Sequence, residues 1–226
     1  MAKIDVKSLV ATEFHAAEAF KTLRTNILFS GVDNKVIGLT SFSEGEGKST
    51  VAFQLAASLA QAGKKVLLID ADLRKSVLAA RLKTGAKMQG LSHLLSGMAN
   101  MKDLLNSTDI PGLYILFAGA RVPNSAELLG SAGFPRLIRA VRDVFDYVIV
   151  DVAPLGQVVD CAIIASALDG ILLVIDSTNN SRRLEKRLKN QLEKAGGKLL
   201  GVVLNRVDFD ERPGYYGKSY GYGEKG

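Results

Sequence analysis

Residues 41–50 read Ser-Phe-Ser-Glu-Gly-Glu-Gly-Lys-Ser-Thr, and they lie between an apolar run at 36–40 and a segment rich in Ala, Leu and Gln at 51–62. A strand, a glycine turn that ends in Gly-Lys-Ser-Thr and a helix form the setting that a phosphate-binding loop requires. Gly45 and Gly47 allow the backbone to approach phosphate oxygens without a Cβ clash. The stretch therefore predicts a nucleotide-phosphate site at the N-terminus of a helix.

The residues of this loop are expected to have distinct roles. Lys48 is placed to reach the β- and γ-phosphates, and the Ser49 hydroxyl is placed to bind Mg²⁺. Phe42 stands where the usual pattern has a glycine, five residues before Gly47. A chance glycine-rich turn is the alternative, and the flanking strand and helix argue against it. The residues expected to hold the nucleotide are Glu44, Gly45, Glu46, Gly47, Lys48, Ser49 and Thr50.

Two further apolar runs end in aspartate. Residues 65–69 precede Asp70 and Asp72, and residues 147–150 precede Asp151. Fully apolar strands are typical of a parallel sheet that is buried on both faces, and open α/β sheets bind ligands at the C-terminal ends of their strands. We expect Asp151 to hold the Mg²⁺ hydration shell as a Walker B acid. Asp70 and Asp72 point the same way if the backbone stays extended, although a helix N-cap or a surface acid is the alternative for either one alone.

Strands and helices alternate along almost the whole chain. We therefore predict an α/β fold of the P-loop NTPase type, with a mostly parallel sheet and helices on both faces. Beyond the elements above, the expected helices are 12–30, 76–82, 91–96, 101–105, 126–129, 134–145, 158–167 and 182–195, and the expected strands are 113–117, 170–176 and 198–205. We expect one folded domain over 1–207, with its first helix inside 1–31, and a flexible tail over 208–226.

The composition limits the classes of protein to be considered. The chain has 226 residues, is 47% hydrophobic and carries a net charge of +6, which suits one sizeable core. We find no stretch of membrane-span length and no signal peptide. The single Cys161 excludes an internal disulfide and fits a packed thiol in a reducing cytosol. Because the basic residues are spread along the chain, we expect no nucleic acid partner. A basic face beside an anionic membrane or a nucleotide is equally compatible.

The first expected helix has an apolar stripe made by Ala16, Phe20, Leu23 and Ile27. At about 100° per residue, a set of charged residues falls on an adjoining flank. That set is Glu18, Lys21 and Arg24. A solvated face with helical ion pairs is one interpretation of this flank, and a contact surface is the other.

The C-terminal segment 213–226 is rich in glycine and has no apolar periodicity. It contains four of the six tyrosines of the chain, namely Tyr215, Tyr216, Tyr220 and Tyr222. Tyrosine is uncommon in disordered segments. An interaction tail and a stacking surface for single-stranded nucleic acid both remain open on composition alone.

Several motifs together resemble one family. They are the loop at 45–50, the run Leu-Leu-Ile-Asp-Ala-Asp-Leu-Arg at 67–74, Pro-Asn-Ser-Ala-Glu-Leu-Leu at 123–129, Val-Ile-Val-Asp-Val-Ala-Pro at 148–154 and the terminal tyrosine cluster. As a set they are similar to the motifs of bacterial tyrosine kinases of the capsule and exopolysaccharide type. The chain resembles the cytoplasmic kinase subunit of the firmicute version, in which a separate membrane protein supplies the activator.

The resemblance implies an enzyme that uses ATP and Mg²⁺ to phosphorylate tyrosine hydroxyls, those of its own tail included. Lys48 would stabilise the phosphates. Ser49 would bind the metal, Asp151 would orient its waters, and Asp70 would be a further metal contact. Asp70 is also the expected base that accepts the tyrosine proton, with Asp72 as the alternative.

The resemblance also implies binding surfaces and partners. Asn205 and Arg206, after the last strand, are candidates for contact with adenine. The family carries Glu-x-x-Arg-x-x-Arg on the first helix for ring-like oligomerisation, and Glu18, Lys21 and Arg24 occupy those positions here. Lys21 keeps the charge of arginine and lacks its bidentate fork. The implied partners are a transmembrane activator of the polysaccharide co-polymerase type, further copies of the chain and a protein-tyrosine phosphatase. The implied location is the cytoplasm, at the inner face of the membrane.

Two other functions are compatible with parts of the sequence. ATPase switches of the chromosome-partitioning or septum-placement type have the same fold, but they carry an extra lysine near the start of the loop, where this chain has Ser43. They also have no reason to carry a tyrosine tail. The other possibility is a nucleotide-gated scaffold whose tail binds partners and is phosphorylated by another enzyme.

Overall fold

A seven-stranded sheet forms the centre of the structure, a computed structural model in which residues 3–82, 88–178 and 190–208 are described. The strands are β1 (Val36–Ser41), β2 (Val66–Asp70), β3 (Asn106–Ser107), β4 (Leu113–Leu116), β5 (Tyr147–Asp151), β6 (Gly170–Asp176) and β7 (Leu199–Asn205). They lie in the order β3-β4-β2-β5-β1-β6-β7. Every neighbouring pair is parallel except β3 with β4. The C-terminal ends of β2, β5 and β1 therefore lie side by side at one edge.

The helices connect these strands and vary widely in length. They are α1 (Phe14–Phe29), α2 (Lys48–Gln61), α3 (Leu78–Arg81), α4 (Leu91–Leu95), α5 (Met101–Leu104), α6 (Ser125–Gly130), α7 (Gly133–Arg142) and α8 (Asp160–Ile164). Residues 190–194 are also helical. Within the described ranges, no helix has both the length and the apolar character needed to cross a membrane.

Both faces of the sheet are covered by apolar side chains. All residues of β1, β2 and β6 are buried, as the uninterrupted apolar sequences predicted. Successive residues of β2 enter opposite clusters, so that Leu67 packs in the cluster that includes α7 and α8, while Leu68 packs in the one that includes α2. Cys161 lies in the first cluster, and burial raises the pKa of its thiol to about 12, as expected of a packed side chain.

The α/β architecture with a mostly parallel sheet and helices on both faces is confirmed. The short strand β3 was not predicted, because two half-buried polar residues are too few to show a strand pattern. The helix expected at 158–167 is divided into α8 and a 3₁₀ turn at Ala165–Ala167. Most of the helix expected at 182–195, and the tail from 209 onward, lie outside the described residues.

The segment before α1 is fixed to the body of the protein, which the sequence analysis did not anticipate. Ile4 forms a parallel bridge with Thr108, and Val6 is fully buried. On α2, the Gln54 side chain donates to the Leu9 carbonyl (2.7 Å) and accepts from the Ala11 N–H (3.0 Å). One buried amide side chain therefore satisfies two backbone groups of this segment.

We expect Gln54→Ala to lower the free energy of unfolding by about 1–2 kcal/mol, because the change leaves two partly buried backbone groups without their partner. Urea unfolding measures the effect. Gln61 is exposed on the same helix, so Gln61→Ala is the matched control and should change stability by less than about 0.5 kcal/mol. Equal losses in the two variants would contradict this account of the N-terminal segment.

Candidate active site

The phosphate loop connects β1 to α2, and its glycines have the backbone geometry that the motif predicts. Gly45 and Gly47 have φ angles of 85° and 89°, in the region that favours glycine. Gly47 is the N-cap residue of α2. A Cβ atom at Gly47 would lie 2.0 Å from the Nδ2 atom of Asn205, so the position excludes a side chain for steric reasons as well.

Glu46 determines how the loop closes on itself. Its side chain is buried, and its carboxylate accepts from the backbone N–H groups of Phe42 (2.9 Å) and Ser43 (3.3 Å). These two N–H groups are therefore bonded within the loop. Phe42, which replaces the usual glycine, packs against Gly156, where a Cβ atom would lie 2.3 Å from the Phe42 carbonyl oxygen. The small residue next to Phe42 is thus supplied by the loop after β5.

Lys48 lies among the acidic side chains at the edge of the sheet. Its Nζ atom is 2.7 Å from Asp151 Oδ1, 3.6 Å from Asp72 Oδ2 and 3.4 Å from the Ser49 hydroxyl. Burial alone would lower the pKa of the Lys48 ammonium, but the charges of Asp151 and Asp72 outweigh that effect and raise it. The lysine is therefore held in its charged form at the start of α2.

Asp70 is the acid whose titration is most altered by the fold. It is fully buried and lies in register with Asp151 on the neighbouring strand. Burial, and next the charge of Asp151, raise the pKa of the Asp70 carboxyl to about 7. Ser76 donates a hydrogen bond to the same carboxyl, and this bond favours the ionised form. The fold therefore favours the protonated form of Asp70.

Asp72 lies just beyond the extended part of the chain. Its backbone N–H donates to Asp70 Oδ1 (3.2 Å), and its own Oδ1 accepts from the Lys75 N–H (2.9 Å). The strand β2 ends at Asp70, and a turn follows at residues 73–75. Asp72 lies between the strand and this turn with its carboxylate close to Lys48, so the motif places both acids at the phosphate loop.

The oxygen groups in this region suit Mg²⁺. Ser49, Asp70 and Asp151 offer hydroxyl and carboxylate oxygens, which are the ligands that this hard cation prefers. The described part of the chain contains no group of three or more His, Cys, Asp or Glu side chains that would form an all-protein metal cage. Mg²⁺ usually keeps several waters and binds one or two carboxylates together with substrate phosphates, so the residues present fit this ion.

Asn205 and Arg206 both reach the phosphate loop. The Asn205 amide donates to the Glu46 carbonyl (2.9 Å), and the Arg206 guanidinium donates to the Gly45 carbonyl (2.7 Å). Arg206 also pairs with Asp176 at the end of β6, at 2.5 Å. The structure thus places these two residues beside the nucleotide-binding loop, and their contact with adenine stays a prediction.

Two contacts to the phosphate loop were missed by the sequence analysis. Lys75 forms an ion pair with Glu44, and Arg81 donates to the Thr50 hydroxyl. Both basic residues come from the segment that follows the acids of β2. Lys75 comes three residues after Asp72 and Arg81 nine residues after it, and no local pattern in the sequence pairs either of them with the phosphate loop.

The charged residues on the flank of α1 lie in two different environments. Glu18 and Lys21 form an exposed ion pair at 2.6 Å. Arg24 instead donates to the Ser58 carbonyl of α2 (3.0 Å). An oligomer contact through these residues stays a prediction, and Arg24 has a role within the chain besides. The four tail tyrosines lie outside the described residues.

The fold and the loop define the class, a P-loop nucleotide-binding α/β protein. A family model described as an AAA domain matches residues 34–198. The "Tyrosine-protein kinase CpsD" of Streptococcus agalactiae is 45% identical over 208 residues, which are 92% of this chain and 90% of that protein. The crystal structure of the chimerical protein CapA2B2 has a TM-score of 0.82 at 34% identity and covers 91% of this chain and 92% of its own. The chain belongs to the family of bacterial tyrosine-protein kinases that these relatives represent.

Two further comparisons place this family among its neighbours. The "Succinoglycan biosynthesis transport protein ExoP" of Rhizobium meliloti (strain 1021) is 38% identical over 86% of this chain, which covers 25% of that protein. The septum site-determining protein MinD from Pyrococcus horikoshii OT3, complexed with Mg-ADP, has a TM-score of 0.64 at 25% identity and covers 76% of this chain and 70% of its own. The septum-placement class is thus more distant, and the comparisons favour the kinase family over the ATPase-switch alternative.

Asp70→Asn should stabilise the protein at alkaline pH when nucleotide and Mg²⁺ are absent. The carboxyl has a pKa of about 7 in the fold against an ordinary 3.8, so its stabilising contribution is complete below pH 3.8 and is lost as the pH rises through 7. Asparagine resembles the protonated acid and removes that loss. We expect the melting temperature at pH 8 to rise by about 5 °C, and the gain to vanish near pH 4.

Ser76→Ala changes the same carboxyl in the opposite sense and is the complementary variant for this experiment. It removes a hydrogen bond that favours the ionised carboxylate, so it should steepen the loss of stability between pH 5 and pH 8. A pH-independent gain in Asp70→Asn would show that burial of the charge is not the cause.

Proposed function

We propose that this protein is an ATP-dependent tyrosine kinase that phosphorylates the tyrosines of its own C-terminal tail and acts in capsule or exopolysaccharide synthesis. The observation that carries the proposal is the position of Asp70, a carboxyl with a pKa of about 7 in register with Asp151 and close to the lysine of the phosphate loop. A general base works best when its pKa lies near the working pH. The kinase names of the relatives support the same activity.

The charged and polar groups of the site would have separate roles in phosphoryl transfer. Lys48 would stabilise the negative charge on the β- and γ-phosphates, and Ser49 and Asp151 would hold Mg²⁺. The metal supplies charge neutralisation on the phosphate oxygens when it is bound. Gly45 to Thr50 would contribute backbone N–H groups and the N-terminus of α2 to the same phosphates.

Asp70 would act on the acceptor. A tyrosine hydroxyl has an ordinary pKa of about 10, so it is a poor nucleophile until its proton is removed. Asp70 would accept that proton while the tyrosine oxygen bonds to the γ-phosphorus and the bond to the ADP oxygen breaks. Asp72 is the alternative base, and its carboxylate accepts a hydrogen bond from the backbone N–H of Lys75.

The acceptor would be a tail from another subunit. The last strand ends at Asn205, beside the phosphate loop, and we expect that the segment up to Tyr215 would have to reverse direction to enter its own site. The exposed pair of Glu18 and Lys21, with Arg24 beside it, offers charges of both signs for a head-to-tail contact that closes into a ring. Phosphates on Tyr215, Tyr216, Tyr220 and Tyr222 would disfavour an acidic site and loosen the assembly.

A membrane protein would be the activating partner. The matched region is one quarter of the transport protein ExoP, so a related kinase region there is joined to a larger protein. We infer that this protein works in the cytoplasm and is recruited to the inner face of the membrane by a transmembrane activator of the co-polymerase type. A protein-tyrosine phosphatase would remove the phosphates from the tail tyrosines. We expect no nucleic acid partner.

Lys48→Ala should abolish phosphotyrosine formation, with a loss of at least about 100-fold, because it removes the main fixed positive charge from the transferring phosphoryl group. Purified protein is incubated with ATP and Mg²⁺ and probed for phosphotyrosine, and circular dichroism checks the fold. Lys64→Ala, at the opposite end of the sheet, should retain full labelling. Labelling of a folded Lys48→Ala protein would locate the site elsewhere.

Transfer between subunits can be tested by mixing two proteins. One is Lys48→Ala with its tail, and the other is active and truncated after Pro213. We expect labelled tyrosine on the inactive chain, at a rate that rises with protein concentration. No label on the inactive chain, together with labelling of the intact wild-type protein at a rate that does not depend on its concentration, would contradict transfer in trans.

The contact surface on α1 is tested in the same mixture. Changing Glu18 and Lys21 to Ala in both proteins should reduce labelling at least about fivefold if their exposed charges pair across subunits. Lys102 and Asp103, an exposed pair of opposite charges on α5, are the matched control and should have no effect when changed to Ala. Arg24→Ala is analysed separately, because it also breaks the bond to Ser58.

A further inference from the structure

A buried carboxylate outside the proposed catalytic set joins three loops around the site. Asp160 is fully buried at the start of α8. Arg74 donates to both of its oxygens, from Nε to Oδ2 at 2.9 Å and from Nη2 to Oδ1 at 3.0 Å. Ser125, also fully buried, donates its hydroxyl to Oδ2 at 2.9 Å. Three donors therefore converge on one carboxylate.

The partners of Asp160 come from neighbouring parts of the sheet. Arg74 follows β2, Ser125 begins α6 after β4, and Asp160 follows β5. These strands are adjacent in the order β4-β2-β5. The network therefore links the loops at the C-terminal ends of three adjacent strands, and two of those strands carry the acids of the site.

Arg74 is two residues from Asp72, in the turn that carries it. That turn is also held by the Leu73 carbonyl, which accepts from the Val122 N–H at 3.2 Å. A charge as deeply buried as Asp160 is costly unless it is paired and hydrogen-bonded. A planar guanidinium is the side chain that satisfies both carboxylate oxygens at once. The bidentate bond therefore restricts where the backbone of Arg74, and with it Asp72, can lie.

We propose that Arg74, bound to the Asp160 carboxylate that also accepts from Ser125, is a positioning residue that holds the Asp72 turn against Lys48 for phosphoryl transfer. This inference rests on the proposed kinase function. It also gives a role to Ser125 in the Pro-Asn-x-x-Glu-Leu-Leu motif, as the third member of the network. A misplacement of about 1 Å in a catalytic group can reduce turnover by as much as about 100-fold.

The test compares Arg74→Lys with Arg142→Lys. Arg142 pairs with Asp169 at 2.6 Å, and its side chain is 35% exposed, as is that of Arg74. Arg142 ends α7, and its partner Asp169 lies beside the N-terminal end of β1, whereas the phosphate loop follows the C-terminal end of that strand. We expect kcat for tyrosine phosphorylation to fall at least about tenfold in Arg74→Lys, with KM for ATP unchanged. Arg142→Lys should retain the wild-type kcat at a similar loss in melting temperature.

Addition of a free cation separates attachment from charge. Arg74→Ala should stay impaired when guanidinium is added, because the free cation can pair with both oxygens of Asp160 but is not joined to the Asp72 turn. Recovery of turnover under these conditions would overturn the inference. Ser125→Ala removes one of the three donors and should lower kcat by a smaller factor than Arg74→Lys does. A wild-type kcat in Arg74→Lys, or equal losses in the two Arg→Lys variants, would overturn the inference.

A measurement that does not depend on activity tests the positioning role even if the proposed kinase function fails. The ¹³C signal of the Asp72 carboxyl should shift in Arg74→Lys and stay in place in Arg142→Lys. If wild-type protein labelled no tyrosine, the kinase proposal would fail, and the carboxyl signals would still decide whether Arg74 positions Asp72. An unmoved Asp72 signal in Arg74→Lys would refute the positioning role.

Discussion

The arrangement of the whole site depends on the contact between Lys48 and Asp151. Their N···O distance is 2.7 Å, and the side chains are only 8% and 3% exposed. Lys48 begins α2 and Asp151 ends β5, so one ion pair ties the phosphate loop to the neighbouring strand. Because an unpaired charge at such depth is far more costly than a paired one, neither side chain can move away alone. The position of the loop relative to the acids is thus set by charge as well as by backbone hydrogen bonds.

The same cluster holds more negative than positive charge. Asp70, Asp72 and Asp151 surround a single buried ammonium, and the raised pKa of Asp70 follows from its burial and from the charge of Asp151. A buried cluster with excess negative charge either retains a proton or attracts a further cation. Proton uptake and metal binding therefore both reduce the excess negative charge of this cluster. They should compete for the same carboxylate oxygens.

The parts of the site that follow from local patterns could be predicted from the sequence. The glycine loop, the strands that end in Asp70 and Asp151 and the parallel sheet are each encoded within a few consecutive residues. Contacts between distant parts of the chain could not be predicted in this way. Nothing next to Phe42 indicates that Gly156 supplies the space beside it, and nothing in the sequence pairs Gln54 with the N-terminal segment. Such pairs depend on how the loops approach each other after the sheet has formed.

The helix α2 does more than present Lys48. Along its length, Gln54 holds the N-terminal segment and the Ser58 carbonyl accepts from Arg24 of α1. The segment, α1 and the phosphate loop are therefore all attached to one helix. Any rearrangement that separates α1 from α2 would break the Arg24–Ser58 hydrogen bond on the same helix that begins with Lys48.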